Sequence, residues 1–170
     1  MKRRKRNLDK LGDLEALLHR GFRYALALTH DRAAADDVLQ DAWVAVLNAD
    51  SPRSPGVLFR AIRTRFIDRY RRSRLVVMTS LDTDINDPVD PRAAADINGV
   101  IAYDQLERAL GIIRAEEREL LFLSAVEGYT ADEIGQLTDR TSGAVRVLLH
   151  RVRRKLQGHL ESQADEVVSA

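Results

Sequence analysis

The chain has 170 residues, 45% of them hydrophobic and 31% charged, a soluble balance that fits one compact domain or two small ones. It contains no cysteine, which excludes disulfides, thiolate metal sites and cysteine nucleophiles. No histidine pair has the spacing of a helical zinc site, and no apolar run approaches the ~20 residues of a membrane span. We therefore expect a cytoplasmic, mostly helical protein without metal, cofactor or membrane insertion.

The net charge of +1 hides a strong segregation of charge along the chain. Residues 60–74 carry seven arginines and one aspartate, and residues 140–160 carry six basic residues and no acid. Between them, residues 76–104 hold six aspartates and one arginine, with two prolines in the same stretch. Two basic lobes on an acidic linker indicate a polyanion bound at two places, although two solvated helix faces would look the same. These changes in charge and composition along the chain predict five segments: a basic arm (1–10), a helical domain (11–75), an acidic linker (76–103), a second helical domain (104–160) and a tail (161–170).

In the first lobe, helical spacing predicts a helix from Asp9 to Thr29 and a second, capped by Asp31, that ends near Leu47. The expected core positions of the first are Leu11, Leu14, Leu18, Phe22, Ala25 and Leu28, and those of the second are Ala35, Val38, Leu39, Ala42, Trp43 and Val46.

The second helix also carries an acidic patch, formed by Asp36, Asp37, Gln40 and Asp41. Like charges at i, i+4 oppose an isolated helix, so the patch suits an outside partner. The alternative is an acidic face stabilised by the positive N-terminal end of the helix dipole.

A third helix is predicted from Pro55, with Ser54 as its N-cap, to about Arg74. At 1.5 Å per residue it is about 30 Å long, enough to contact successive phosphates of a duplex with its arginines. Its expected core positions are Leu58, Phe59, Ile62, Phe66, Ile67 and Tyr70.

The second lobe begins with a helix from about Asp104, followed by one over Glu116–Glu127 with Gly128 as C-terminal cap. Thr130 and Glu133 have the spacing of a capping box, and Thr141 is the expected cap of a last helix. The core positions expected in these last two helices are Ile134, Leu137, Val145, Leu149, Val152 and Leu156.

A short capped helix, a three-residue turn and a longer basic helix are typical of a helix-turn-helix, whose second helix enters the major groove. Residues near its start would approach bases or backbone, and Arg151, Arg153, Arg154 and Lys155 would contact phosphates. A helical hairpin with a solvated basic face is the alternative.

Over about residues 12–160 the chain resembles the extracytoplasmic-function (ECF) sigma factors of bacterial RNA polymerase. Residues 35–43 (ADDVLQDAW) resemble region 2.2, residues 58–63 and 67–72 resemble regions 2.3 and 2.4, and residues 116–119, 127–134 and 142–151 resemble region 4. The resemblance implies an all-α fold of two small domains, no enzymatic activity, and a role in promoter recognition and strand opening. It also implies three partners: core polymerase, promoter DNA and an anti-sigma protein.

The resemblance assigns roles to three sets of residues. The clamp helices of the largest polymerase subunit would bind Asp36, Asp37, Gln40 and Asp41, while region 4 would contact the second-largest subunit. The minus-ten element would be bound by Arg53, Arg60, Arg63, Arg65, Arg69 and Arg72. The minus-thirty-five element would be bound by Thr141, Ser142, Gly143, Arg146, His150, Arg151 and Arg154.

The chain departs from the family pattern at several points. Val57 stands where the family usually has Trp, Arg114-Ala115 replaces a frequent Pro-Pro, and Asp139-Arg140 replaces a glycine and an apolar residue. Val147-Leu148 replaces a polar pair on the recognition helix. This last change leaves open a sigma-like adaptor that binds an anti-sigma protein without DNA. A helix-turn-helix regulator that needs no polymerase is a further alternative.

Overall fold

The computed structural model describes residues 2–49, 52–77 and 109–168, with side chains over 12–49, 52–72 and 109–162. Within those ranges the chain is helical and contains no strand, as the sequence predicts. It divides into two compact units, Met1–Pro88 and Val89–Ala170. Apart from its first two residues, the predicted acidic linker lies outside the described residues, as does the start of the helix expected from Asp104.

The first unit contains α1 (Lys2–Thr29), α2 (Arg32–Asn48) and α3 (Pro55–Val77), each packed against the other two. Helix α1 begins seven residues before the predicted Asp9, so the basic arm is part of the helix rather than a separate segment. Lysine and arginine are good helix formers, and no glycine or proline interrupts Lys2–Leu11.

The buried stripe of α1 is rotated from the predicted one. Leu17 and Tyr24 are buried with the expected Ala25 and Leu28, whereas Leu14, Leu18 and Phe22 are only half-buried. The stripe is centred on Gly21, where a Cβ atom would lie 2.7 Å from Leu58 Cδ2 and 2.9 Å from Leu39 Cδ1. A glycine gives no apolar signal, so the sequence pattern misplaces this face. The side chain of Leu11 lies outside the described ones.

Helix α2 begins as predicted, because Asp31 Oδ1 accepts a hydrogen bond from Ala34 N at 2.6 Å. Its buried residues are four of the six predicted positions, and the larger Leu39 and Trp43 are half-buried at the edges. The buried positions are Ala35, Val38, Ala42 and Val46.

Helix α3 starts at Pro55, and Ser54 Oγ accepts a hydrogen bond from Val57 N at 3.5 Å. Leu58, Phe59 and Ile62 are fully buried, and the Phe59 ring stacks on Tyr24 at a centroid distance of 4.5 Å. The prediction that Tyr70 is in the core is wrong, since 54% of it is exposed. The core of the unit is filled by the first turns of α3, and Tyr70 stacks on Phe66 instead. Phe66 and Ile67 are half-buried.

The second unit contains α4 (Ala115–Ala125), α5 (Ala131–Thr138) and α6 (Ser142–Val168). Leu156 is half-buried, and helix α6 extends to Val168, beyond the predicted start of a tail at residue 161. Residues 161–168 contain neither glycine nor proline, so nothing local ends the helix. The buried apolar residues of this unit are Ala109, Ile113, Leu120, Leu123, Ile134, Leu137, Val145, Leu149 and Val152.

Both ends of α4 are closed by local hydrogen bonds. At the start, Arg114 N donates to Glu117 Oε2 at 2.8 Å. At the end, Gly128 has a φ of +72°, and Tyr129 N donates to Leu123 O at 2.9 Å. This left-handed glycine after the last turn is the cap that the sequence predicts.

None of the helices in the described ranges carries an apolar stretch long enough to cross a membrane.

Candidate nucleic-acid interface

Helix α5 begins with the predicted capping box. Thr130 Oγ1 accepts a hydrogen bond from Glu133 N at 3.3 Å, and Thr130 N donates to Glu133 Oε2 at 2.8 Å. The Thr130 hydroxyl also donates to Glu133 Oε2. The backbone hydrogen bond, helped by the one from the hydroxyl, lowers the pKa of the Glu133 carboxyl. The box sets where α5 starts and therefore where the turn follows it.

The turn between α5 and α6 is tight. Asp139 has left-handed backbone angles (φ 57°, ψ 43°), and Arg140 N donates to Gly135 O at 2.9 Å. A Cβ atom on Gly135 would lie 2.5 Å from Arg140 O, so only glycine fits where α5 meets the turn. Sequence reasoning missed Gly135, although a glycine inside an eight-residue helix is itself a signal.

Helix α6 starts with the predicted cap, since Thr141 Oγ1 accepts a hydrogen bond from Ala144 N at 3.2 Å. Its apolar face carries Val145, Leu149 and Val152 inward. Of the seven residues predicted to contact the minus-thirty-five element, Ser142 is half-buried and the other six are exposed. The exposed residues are Thr141, Gly143, Arg146, His150, Arg151 and Arg154. The structure therefore places this predicted set on one accessible side of one helix.

Val147 belongs to that side as well. It is 51% exposed, next to Arg146 and one turn before His150 and Arg151, while Leu148 is half-buried. Val147 is thus an exposed apolar side chain in the middle of a basic face.

Two basic residues of α6 that were predicted to contact phosphates have intramolecular partners. Lys155 Nζ donates to Ile112 O at 2.7 Å and lies 3.9 Å from Glu117 Oε2. Arg153 Nη2 donates to Ser124 Oγ at 3.3 Å. These contacts join α6 to α4 and to the residues before it.

Other arginines also hold the second unit together. Arg118 Nη1 donates to Ile113 O at 2.7 Å and to Leu110 O at 3.3 Å, and burial lowers the pKa of Arg118. The turn residue Arg140 pairs with Glu116 of α4. The helix-turn-helix thus contacts α4 through Arg140, Arg153 and Lys155, which are not among the residues predicted to bind the minus-thirty-five element.

In the first unit, the four predicted polymerase-binding residues Asp36, Asp37, Gln40 and Asp41 are all exposed on α2. Asp37 Oδ2 accepts a hydrogen bond from Arg69 Nη2 of α3 at 2.9 Å. One residue of the acidic patch therefore contacts one arginine of α3, and helical spacing within either helix does not reveal this contact.

The predicted minus-ten arginines differ in exposure. Arg60, Arg65, Arg69 and Arg72 are exposed on α3, whereas Arg63 is half-buried. Arg53, just before α3, is exposed, and its guanidinium carbon lies 5.9 Å from the centre of the Trp43 ring. This cation–π contact gives the half-buried Trp43 a second role that its predicted core position does not suggest.

Among the described side chains, no group of histidine, aspartate and glutamate is arranged to hold a metal ion. Together, the capped short helix, the tight turn and the exposed basic face of α6 define the second unit as a helix-turn-helix module.

Comparison with known proteins agrees with this class. The family model described as "Sigma-70, region 4" matches residues 103–156. The chain is 27% identical over 161 residues to the ECF RNA polymerase sigma factor SigE of Mycolicibacterium smegmatis, covering 89% of this chain and 61% of that protein. It is 30% identical over 149 residues to the RNA polymerase sigma factor CarQ of Myxococcus xanthus, covering 79% of this chain and 80% of that one.

A solved structure shares the fold. The sigma factor RpoE of Bartonella quintana, in complex with the anti-sigma factor NepR, matches with a TM-score of 0.70 at 19% sequence identity, over 90% of this chain and 97% of that one.

The identity to CarQ and its coverage of both chains establish the relationship. The chain belongs to the ECF sigma factors of bacterial RNA polymerase, non-enzymatic initiation factors that direct the polymerase to promoters. It spans about three-fifths of the length of SigE and four-fifths of the length of CarQ.

Proposed function

We propose that this chain gives core RNA polymerase its promoter specificity by binding the enzyme through α2 and promoter DNA through α3 and α6. The observation that carries the proposal is the exposed basic face of α6, because it lies inside the segment that matches sigma region 4 and follows a capped, tight turn. Phosphate contacts from this face would fix the position on DNA, and side chains at the start of α6 would reach base edges.

Polymerase would bind the exposed acidic patch of α2, which consists of Asp36, Asp37, Gln40 and Asp41. Exposed carboxylates suit a basic partner, and in the family this position binds the clamp helices of the largest subunit. The second-largest subunit would receive the region 4 unit.

The minus-ten element would be bound by Arg60, Arg63, Arg65, Arg69 and Arg72 on α3 and by Arg53 before it. Arg63 is half-buried and the other five are exposed. Their charges would hold the duplex by its phosphates, and strand opening would follow from capture of unpaired bases. Differential binding to the open strand would be sufficient to drive this step without a catalytic group.

An anti-sigma protein is the proposed regulator. The structural match RpoE is bound to an anti-sigma factor, which supports a comparable partner for this chain. The exposed Val147 on α6 favours, as a second candidate function, a sigma-like adaptor that engages such a protein without binding DNA.

Reconstituted transcription tests the proposal. The full chain mixed with core polymerase should stimulate transcription from a subset of promoters of the source genome. The variant Asp37→Lys/Asp41→Lys should lose polymerase binding and transcription while it stays folded, because the substituted side chains are exposed.

The matched control is Asp13→Lys/Glu15→Lys, which makes the same change of charge at two exposed carboxylates of α1. It should bind polymerase normally. Polymerase binding without stimulation at any promoter would favour the adaptor, and the absence of polymerase binding would overturn the sigma function.

A further inference from the structure

The ion pair between Asp37 and Arg69 joins two surfaces that have different proposed partners. The Asp37 carboxylate lies in the acidic patch of α2, and Arg69 lies in a stripe with Arg65 and Arg72 at i, i+4, i+7 on α3. The two side chains are 2.9 Å apart and remain 58% and 51% exposed, respectively. The pair therefore lies where the two surfaces meet, and both of its side chains are accessible to outside partners.

From this contact we propose that Asp37 restrains DNA binding by the free chain, and that a cationic protein surface docked on the acidic patch releases Arg69 to bind phosphate. The inference rests on the proposed function and adds a coupling between its two binding events. It concerns the order in which the surfaces act, not their identity.

Electrostatics sets the direction of the effect. A phosphate that approaches Arg69 also approaches the Asp37 carboxylate, which repels it and already accepts one of the arginine's hydrogen bonds. When cationic groups of a partner bind Asp37, its charge is compensated and the guanidinium is free to turn towards DNA.

The expected size of the effect is modest. Exposed ion pairs of this kind shift an equilibrium by about two- to five-fold, and the shift is screened by salt. Because the same ion pair must break before polymerase binds Asp37 or phosphate binds Arg69, removing Arg69 should strengthen polymerase binding by a similar factor. A restraint of this size biases the free chain away from DNA without preventing the holoenzyme from binding it.

The first test measures DNA binding without polymerase. The full chain carrying Arg151→Ala and Arg154→Ala, which weaken the contribution of α6, is titrated at low salt with a fluorescent 20-base-pair duplex of mixed sequence. Asp37→Asn should raise the association constant about two- to five-fold. Combined with Arg69→Ala, the same substitution should have no such effect, because the arginine that it releases is absent.

The control for net charge is Glu15→Gln, which removes one negative charge from the exposed surface of α1. It should leave the affinity near that of the parent chain. An equal rise from Glu15→Gln, or an equal rise from Asp37→Asn with and without Arg69, would show a general charge effect and overturn the proposal, and so would the absence of any rise. Circular dichroism confirms that each variant is folded.

The second test measures the affinity of the full chain for core polymerase. Arg69→Ala should bind about two- to five-fold more tightly than the unmodified chain, since Asp37 no longer has an internal partner. Unchanged or weaker binding would overturn the release by polymerase. The first test contains no polymerase, so failure of the sigma function would leave its result intact, and failure of the ion-pair effect would leave reconstituted transcription intact.

Discussion

Single residues account for most of the differences between the predicted and the observed core. Among the described glycines, Gly21 and Gly135 are the two where an added Cβ atom would lie within 3 Å of a neighbouring atom, yet neither contributes to an apolar pattern. Glu119 is buried to 4% exposure although its type predicts a surface position. Such positions are decided by what lies opposite them, which spacing along one helix does not contain.

Asp139 shows how a departure from the family pattern is accommodated. The family commonly has glycine at this position, and the structure gives Asp139 a φ of 57°. Glycine enters the left-handed region freely, whereas aspartate does so at a modest cost because its short polar side chain tolerates the conformation. Asp139 therefore adopts a left-handed conformation that glycine would also allow at this turn.

Val147 allows a prediction about base recognition. Its exposed methyl groups on α6 suit the 5-methyl group of thymine, the one apolar feature in the major groove. Replacing thymines by uracil one at a time in the upstream element of a transcribed promoter should weaken binding at one position by about four-fold, the effect of one buried methyl group.

Val147→Ser should abolish this sensitivity to uracil while keeping phosphate contacts. Gel-shift titration of the holoenzyme on the substituted promoters measures both effects. If no thymine methyl group matters, Val147 faces a protein partner and the adaptor interpretation gains support.

At the scale of elements, caps and turns set the positions of the helices. Asp31, Ser54, Thr130, Thr141 and Gly128 all close helix ends as predicted, through hydrogen bonds within four residues of the capping residue or through a left-handed backbone. Helix ends without such local signals are less predictable. The start of α1 and the end of α6 both extend past their predicted limits.

The close contact between Gly135 of α5 and the turn predicts how an added methyl group changes the stability of the protein. Gly135→Ala should destabilise the protein by about 1–3 kcal/mol, since its Cβ atom would lie 2.5 Å from the backbone oxygen of Arg140. Urea unfolding of the full chain, followed by circular dichroism, measures the change.

Gly158→Ala is the matched control, because a Cβ atom at that position of α6 meets nothing within 4 Å. It should be neutral or stabilise the helix by up to about 1 kcal/mol, the difference in helix propensity. Equal stability of Gly135→Ala and the unmodified chain would mean that the turn moves away at little cost.

At the scale of the whole molecule, the distribution of charge is more informative than the net charge. A net charge of +1 conceals an exposed carboxylate patch on α2 and exposed arginines on α3 and α6. The carboxylate patch suits a basic protein surface and the exposed arginines suit a polyanion, as expected of a factor that joins polymerase to DNA.

The salt dependence of DNA binding tests this division. For the full chain, the slope of log affinity against log salt should fall by about 2 in Arg151→Ala/Arg154→Ala, as expected if both exposed arginines displace counterions from phosphates. Arg153→Ala, a control whose guanidinium binds Ser124, should leave the slope unchanged. A slope that does not differ between these variants would place the phosphate contacts elsewhere on the chain.

The sequence alone predicts the helices, their caps and the helix-turn-helix. It also shows the segregation of charge and the family resemblance. The helices, their caps and the turn depend on hydrogen bonds and spacing within a few residues, so they are encoded locally. The roles of the individual site residues remain predictions, supported by their exposure on α2, α3 and α6.

Only the tertiary structure decided which arginines and carboxylates have partners inside the protein. Arg69 pairs with Asp37 across two helices, and Lys155 binds the carbonyl oxygen of Ile112, 43 residues earlier. Likewise, Leu17 and Tyr24 face the core because Gly21 brings α1 close to Leu39 and Leu58. The rotation of a helix about its axis and its distance from a neighbour result from packing, and those two quantities determine which side chains meet.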